Sequence, residues 1–175
     1  MQKIALAIIA GSLFMAGVTQ AASNDKTATL SITGNVQNGE QDCAVELSSS
    51  SMKLGTYDIN ELPMQGVDST QTTQTNVVRV LGDNCDASGL SVKFLGTTDD
   101  QEGNSFTNTT TGSAAAQGIG VSLYTTADTV ITPNSSSLLI LEKQYLFKAG
   151  MVKIKNATTS PGLVQSSMTV QVERL

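Results

Sequence analysis

The chain contains no histidine. Histidine is the commonest general base and metal ligand near neutral pH, so its absence excludes a Ser-His-Asp triad and a Cys-His pair. A pair of carboxylates can hydrolyse a glycoside, but no two acidic residues stand out from the polar loops that carry them. We therefore expect a protein that is not an enzyme and that holds no cofactor or metal.

Long apolar runs are scarce as well. One covers residues 4–18, between Lys3 and the sequence Thr19-Gln20-Ala21. It is shorter than the roughly 20 residues that a membrane span requires, and small residues at alternate positions before the cleavage point are typical of a secretory signal peptide. We predict that residues 1–21 are a signal peptide, cleaved after Ala21 or, as a second choice, after Ala22, and that the protein is exported.

Cysteine is limited to Cys43 and Cys85. In an exported chain of single-domain size, two cysteines most simply form one disulfide, which would contribute about 4 kcal/mol in the chain-entropy model. Metal binding or redox chemistry is the alternative, although two distant cysteines without a histidine make a poor metal site.

Positive charge is outweighed by negative charge. The chain has 10 Lys and Arg against 15 Asp and Glu, a formal net charge of −5, which argues against nucleic acid and anionic membranes as partners. The most acidic segment, residues 99–104, lacks the alternating ligand spacing of a calcium loop. We expect it to be a solvated loop.

Strand patterns, in contrast, recur along the whole mature chain, and no convincing amphipathic helix accompanies them. Seven or eight short strands between turn sequences suggest a β-sandwich or a small barrel. The predicted strands are residues 27–36, 43–47, 52–57, 76–81, 90–95, 119–124, 145–154 and 163–175, with short apolar pieces at 130–131 and 138–141. Residues 96–118 are expected to be mostly surface loop.

The mature chain begins and ends with alternating strands. Their apolar positions are Ala28, Leu30 and Ile32 at the start and Met168, Val170 and Val172 at the end. A strand with an unpaired edge is a binding site for another strand. The first strand could therefore belong to its own domain, or it could be a free arm that completes the sheet of another molecule.

A set of motifs follows in order. They are G-N-V at 34–36, D-C-A-V at 42–45, L-G at 54–55, L-G-D-N-C-D at 81–86, V-K-F-L-G-T at 92–97 and G-I-G-V-S-L-Y at 118–124, then Tyr145, Phe147 and Pro161-Gly162. Together with the cysteine spacing and the signal peptide, this set resembles the pilins of chaperone–usher fimbriae, closest to the type 1 major-subunit kind. The resemblance covers nearly all of the mature chain.

The resemblance implies an all-β fold: an incomplete immunoglobulin-like sandwich that lacks its final strand. A donor strand from another subunit or from a chaperone would complete it. Residues 22–36 would be the donor-strand arm and residues 37–175 the pilin domain. The inserted arm residues would be Ala28, Leu30 and Ile32, and the acceptor and chaperone-binding strand would carry Met168, Val170, Val172 and Leu175.

The resemblance also implies a function, that of a structural subunit of a surface fimbria supporting cell adhesion. The subunit would fold with a periplasmic chaperone, pass an outer-membrane usher and polymerise with neighbouring subunits by donor-strand exchange. A host receptor would be met through the fibre. The alternative is a minor adaptor or a tip-proximal subunit that binds a receptor directly. Such pilins usually have a penultimate aromatic residue, whereas here Val172 stands near that place and Glu173-Arg174-Leu175 follows it.

Overall fold

The computed structural model describes the backbone of residues 28–34 and the complete residues 44–68, 74–82, 85 and 88–175. The predicted signal peptide, residues 22–27 of the predicted arm and Cys43 lie outside these ranges. Within them, every regular element is a β-strand, and no helix there is long and apolar enough to cross a membrane.

Eleven strands follow one another along the described residues. They are β1 (Ala28–Gly34), β2 (Ala44–Leu47), β3 (Ser51–Gly55), β4 (Gln74–Leu81), β5 (Leu90–Leu95), β6 (Phe106–Thr107), β7 (Ile119–Tyr124), β8 (Val130–Ile131), β9 (Leu138–Leu139), β10 (Gln144–Lys153) and β11 (Gln165–Arg174). The eight strands expected from sequence are present, and β6, β8 and β9 add short pieces at the sheet edges.

The strands form two sheets. Sheet A has the order β3-β1-β11-β5-β9, and sheet B has the order β2-β4-β10-β7-β6, with β8 also paired to β7. β1 runs parallel to β11, and the other pairings between described strands are antiparallel. This sandwich confirms the predicted all-β, immunoglobulin-like fold class. In sheet A, β1 fills the position between β3 and β11.

The core fills the space between the two sheets. Alternate residues of β4 and β11 point into it, as the period of two in a strand requires. At its centre the ring of Phe94 packs on that of Phe147, with centroids 4.8 Å apart and planes tilted by 56°, an arrangement that the ring quadrupoles favour. The inward positions could therefore be read from the alternating pattern alone.

Residues 96–118 differ from the surface loop that the sequence suggested. β6 pairs with β7, and Ser105 and Phe106 are fully buried. A Cβ atom added to Gly96 would lie 2.8 Å from Cε1 of Phe106. The ring of Phe106 thus occupies the space that glycine leaves at position 96.

β7 is buried on both faces, because the segment that carries Phe106 packs against it. The sequence placed Ile119, Val121 and Leu123 on its buried face, but all six of its residues are buried. Segment 104–106 covers the opposite face: a Cβ atom on Gly120 would lie 2.8 Å from the carbonyl oxygen of Phe106.

Candidate functional site between strands β3 and β11

The candidate site is the groove between β3 and β11, which β1 occupies in this chain. β1 is parallel to β11, with Ile32 beside Met168 and Gly34 beside Val170. On its other side it is antiparallel to β3, with Leu30 beside Met52. The backbone of the predicted arm residues is thus placed in the chain's own groove. Their proposed insertion into a neighbouring molecule remains a prediction.

The groove is flanked by buried apolar side chains. Met168 and Val170 of β11 belong to the core on one side, and Met52 and Leu54 of β3 belong to it on the other. The β11 pair was predicted from the sequence as acceptor residues, whereas the β3 pair was not predicted. The signal for the latter was the alternation of Met52 and Leu54 with polar residues in a short strand.

The two remaining predicted acceptor residues lie toward the end of β11. Val172 is half-buried and stands opposite Val92 of β5. Leu175 is exposed, and its backbone N–H donates to the carbonyl oxygen of Gly89 at 2.6 Å. The four predicted acceptor positions are therefore two buried groove residues, one residue at the margin and one surface residue.

The connection from β1 to β2 runs from sheet A to sheet B. Gly34 pairs with Val170 in sheet A, and Ala44 pairs with Leu81 in sheet B. The nine residues 35–43 between them can span about 30 Å, and packed sheets lie about 10 Å apart. The connection is therefore long enough to cross between the sheets with length to spare.

A cavity of about 260 Å³ lies at the other end of the groove. Its lining includes Tyr57, Ile59, Leu62, Ile119, Met151 and Val164. At the start of β1, Ala28 pairs with Gly55 and Thr29 pairs with Gln165. Thr56, which follows Gly55, and Val164, which precedes Gln165, both belong to the cavity wall. The groove therefore opens into an apolar cavity at the start of β1.

The acidic segment near residue 99 has a structural role. Asp99 is buried, and its carboxylate accepts hydrogen bonds from the Glu102 backbone N–H at 2.9 Å, from Gln65 Nε2 at 3.2 Å and from Ser105 Oγ at 3.0 Å. Burial acts to raise the pKa of Asp99, but these hydrogen bonds together lower that pKa below its ordinary value of 3.8. The carboxylate thus orders the turn that leads into β6.

In residues 44–68, 74–82, 85 and 88–175, no group of three or more His, Cys, Asp or Glu side chains is placed to hold a metal ion. The predicted solvated loop at 99–104 keeps its exposed acids, Asp100 and Glu102, but its first carboxylate is buried.

Cys85 is buried at the end of β4. Its backbone N–H donates to the Gly82 carbonyl oxygen at 3.3 Å. Cys43 lies outside the described residues, but its neighbour Ala44 pairs with Leu81. The backbone therefore brings the two cysteine segments to the same end of sheet B, and their pairing stays a prediction.

Family comparison decides the class of the protein. Residues 30–173 match the family described as fimbrial protein. The chain belongs to the fimbrial protein family. It is accordingly a structural pilus subunit, and the family locates such subunits in an extracellular fibre on the cell surface. No curated protein sequence matches the chain.

Solved structures show the same fold. The P pilus rod subunit PapA matches with a TM-score of 0.57 and 11% identity, over 82% of this chain and 99% of that one. A chain from a structure of a chaperone–usher pilus matches with a TM-score of 0.56 and 13% identity, over 82% and 93% of the two chains. At these identities the similarity establishes the fold of this fimbrial protein.

Proposed function

We propose that this fimbrial subunit polymerises by donor-strand exchange. Residues 22–36 act as the arm, and Ala28, Leu30 and Ile32 enter the groove between β3 and β11 of a neighbouring subunit, where they replace that subunit's own β1. Residues 37–175 form the domain that receives the arm. The observation that carries the proposal is the position of β1, which separates β3 from β11 and is joined to the sandwich through residues 35–43.

The groove offers enough interaction to hold a foreign strand. Each inserted strand supplies hydrogen-bonding groups to both β3 and β11, as β1 does here. It also covers the core next to Met52 and Val170, which are buried. Two or three aliphatic side chains contribute about 1.5–3 kcal/mol each when they are buried, and the acceptor's core is completed in the same step.

Before polymerisation, a strand from a periplasmic chaperone occupies the same groove. Leu175 supports this step because its side chain is exposed and the adjoining β11 leads straight to it, so a partner strand that lies along β11 can contact it. The outer-membrane usher then exchanges the chaperone strand for the arm of the next subunit. The fibre would support adhesion to a host receptor.

The proposal includes a disulfide between Cys43 and Cys85. It is supported by the pairing of Ala44 with Leu81 and by the turn that holds Cys85 beside Gly82. A cross-link here would tie the start of the domain to the end of β4. It would hold the start of the domain, which directly follows the arm, in place while the arm itself is exchanged.

The proposed role is structural and not enzymatic, in accord with a sequence that has no histidine. A minor adaptor or a tip-proximal subunit with direct receptor binding remains the second candidate, favoured by the tail Glu173-Arg174-Leu175 in place of an aromatic terminus. Immunogold labelling separates the two roles. A rod subunit is labelled along the fibre, and an adaptor or tip subunit is labelled at one end.

The arm is tested by deleting residues 22–31 and co-expressing the chain with its chaperone and usher. We expect a soluble chaperone complex and no fibres in electron micrographs, because the deleted subunit can accept an arm but cannot donate one. A matched pair of substitutions accompanies the deletion: Ile32→Asp should block assembly, whereas Ser31→Asp, at an alternate position, should permit it. Normal fibres from the deletion would refute the proposal.

A further inference from the structure

Four large apolar side chains are exposed at one end of the sandwich, which we call the arm end. They are Leu81 at 46%, Leu139 at 57%, Leu141 at 71% and Leu175 at 72% exposure. Single exposed leucines are ordinary, but a group of them gathered at one end of a domain marks a surface that another molecule covers.

Backbone hydrogen bonds hold three of these leucines near one another. Leu175 N–H donates to the Gly89 carbonyl oxygen at 2.6 Å, and Ile140 N–H donates to the Leu90 carbonyl oxygen at 2.9 Å. The segment 139–141 and the end of β11 therefore flank the start of β5 from opposite sides.

The arm leaves the domain at this same end. Ala44, the first residue of β2, pairs with Leu81, and Gly34, the last residue of β1, pairs with Val170 in the C-terminal half of β11. The Lys143 side chain, just after Leu141, donates to the Gly82 carbonyl oxygen at 2.9 Å. Any subunit that donates its arm must therefore bring its arm end toward the acceptor.

The opposite end, which we call the pocket end, carries the apolar cavity and two more exposed apolar residues. Leu163 is 36% exposed and Met64 is 40% exposed. Leu163 is held beside the cavity because its carbonyl oxygen accepts a hydrogen bond from Ala116 N–H at 3.0 Å, and Ala116 belongs to the cavity wall.

Strand direction decides which ends meet. A donated arm that kept the parallel direction of β1 would place the donor's arm end against the acceptor's arm end. Two chains could then exchange arms reciprocally, and such a two-fold contact closes on itself. An antiparallel arm places the donor's arm end against the acceptor's pocket end. The donor's groove and the acceptor's own arm then remain unused, so further subunits can add at both ends and the contact builds an open fibre.

Because a pilus is an open fibre, we infer that the arm-end leucines of each subunit pack on the pocket end of the next copy, against Leu163 and the rim of the cavity. This contact rests on the proposed donor-strand exchange and adds a second interface to it. It joins the bodies of the two subunits, so it limits their rotation about the connecting arm.

The test is cross-linking within assembled fibres. A Leu141→Cys, Leu163→Cys double variant is assembled with its chaperone and usher, and the fibres are treated with a short bismaleimide and boiled in detergent. We expect a ladder of covalent multimers, with at least tenfold more dimer than in the single variants. The matched control is Leu146→Cys with Leu163→Cys: Leu146 is 38% exposed but lies within sheet B, where it pairs with Val77 of β4, and it should give no ladder.

The outcomes are distinguishable. Covalent dimers from Leu141→Cys alone would show arm ends meeting each other and would overturn the inference. Fibres of the double variant without a ladder would overturn it as well, while leaving donor-strand exchange standing. If the unsubstituted chain forms no fibres with its chaperone and usher, the proposed function fails and this contact fails with it.

Discussion

Ile32 lies beside Met168 in a parallel register, within the chain's own sheet A. The segment that we assign as a donor to a neighbour thus satisfies the groove of its own domain in the absence of a partner. Under the proposed donor-strand exchange, the chain's own β1 and an incoming strand would compete for one site. A subunit released from its chaperone would then protect its groove with β1, and this protection would have to be removed before the next subunit attaches.

The competition predicts how fast a foreign strand enters. A labelled peptide of residues 22–36 should bind the purified Ile32→Asp variant more than about tenfold faster than the unsubstituted chain. The reason is that the register places Ile32 beside Met168, where a carboxylate should weaken the pairing of β1. A loss of about 1.5–3 kcal/mol, the usual contribution of one aliphatic side chain to a core, corresponds to at least about tenfold, since each 1.4 kcal/mol is about tenfold. Ser31→Asp is the control and should bind like the parent chain. Fluorescence anisotropy measures the rates, and equal rates for all three chains would contradict competition.

The acceptor wall gives a second prediction. Val170 is fully buried, and an unpaired carboxylate at such a position costs about 3–5 kcal/mol, a large part of the stability of a small domain. Val170→Asp should therefore abolish recovery of the chaperone complex from the periplasm. Ser167→Asp changes an exposed residue of the same strand and should alter the unfolding free energy by less than about 0.5 kcal/mol. Equal yields of the two variants would contradict the assignment of this groove.

Asp99 predicts a loss of stability in acid. Its hydrogen-bond donors lower its pKa in the folded protein below 3.8, so the unfolded chain binds the proton more readily. The contribution of Asp99 is thus complete above the unfolded pKa and is lost as pH falls through the folded pKa. Urea midpoints measured from pH 6 downward should fall more for the parent chain than for Asp99→Asn below about pH 4. Asp100→Asn, an exposed neighbour, serves as the control, and parallel curves for the parent and Asp99→Asn would refute this role.

The proposed disulfide predicts the reactivity of both thiols. Native protein from the periplasm should take up no maleimide, and reduction followed by unfolding should expose Cys43 and Cys85 to the reagent. The Cys43→Ser, Cys85→Ser double variant should lose about 4 kcal/mol of unfolding free energy by the chain-entropy model. Labelling of both cysteines in the native, oxidised protein would show that the pairing is wrong.

Much of the fold could be predicted because strand formation here depends on local alternation. The alternation at Met168 and Val170 predicted one apolar face of the last strand, and the structure buries both residues. Residues 52–57 were predicted only as a strand, and the structure adds that Met52 and Leu54 are buried. Segment 104–107 could not be predicted in this way. Phe106 is surrounded by polar residues in sequence, and its burial depends on Gly96, ten positions away, leaving space for its ring.

The same distinction between local pattern and tertiary contact applies to the candidate site. The alternating strands at both ends, the scarcity of catalytic side chains and the motifs of a fimbrial protein could be recognised in the sequence, because each is a property of neighbouring residues. Only the folded chain shows that β1 lies parallel to β11, that β3 forms the second wall of the groove and that exposed leucines gather at the end of the sandwich where β4 and β11 finish. These features depend on how distant segments meet, and a local pattern carries no information about which strand becomes the neighbour of another.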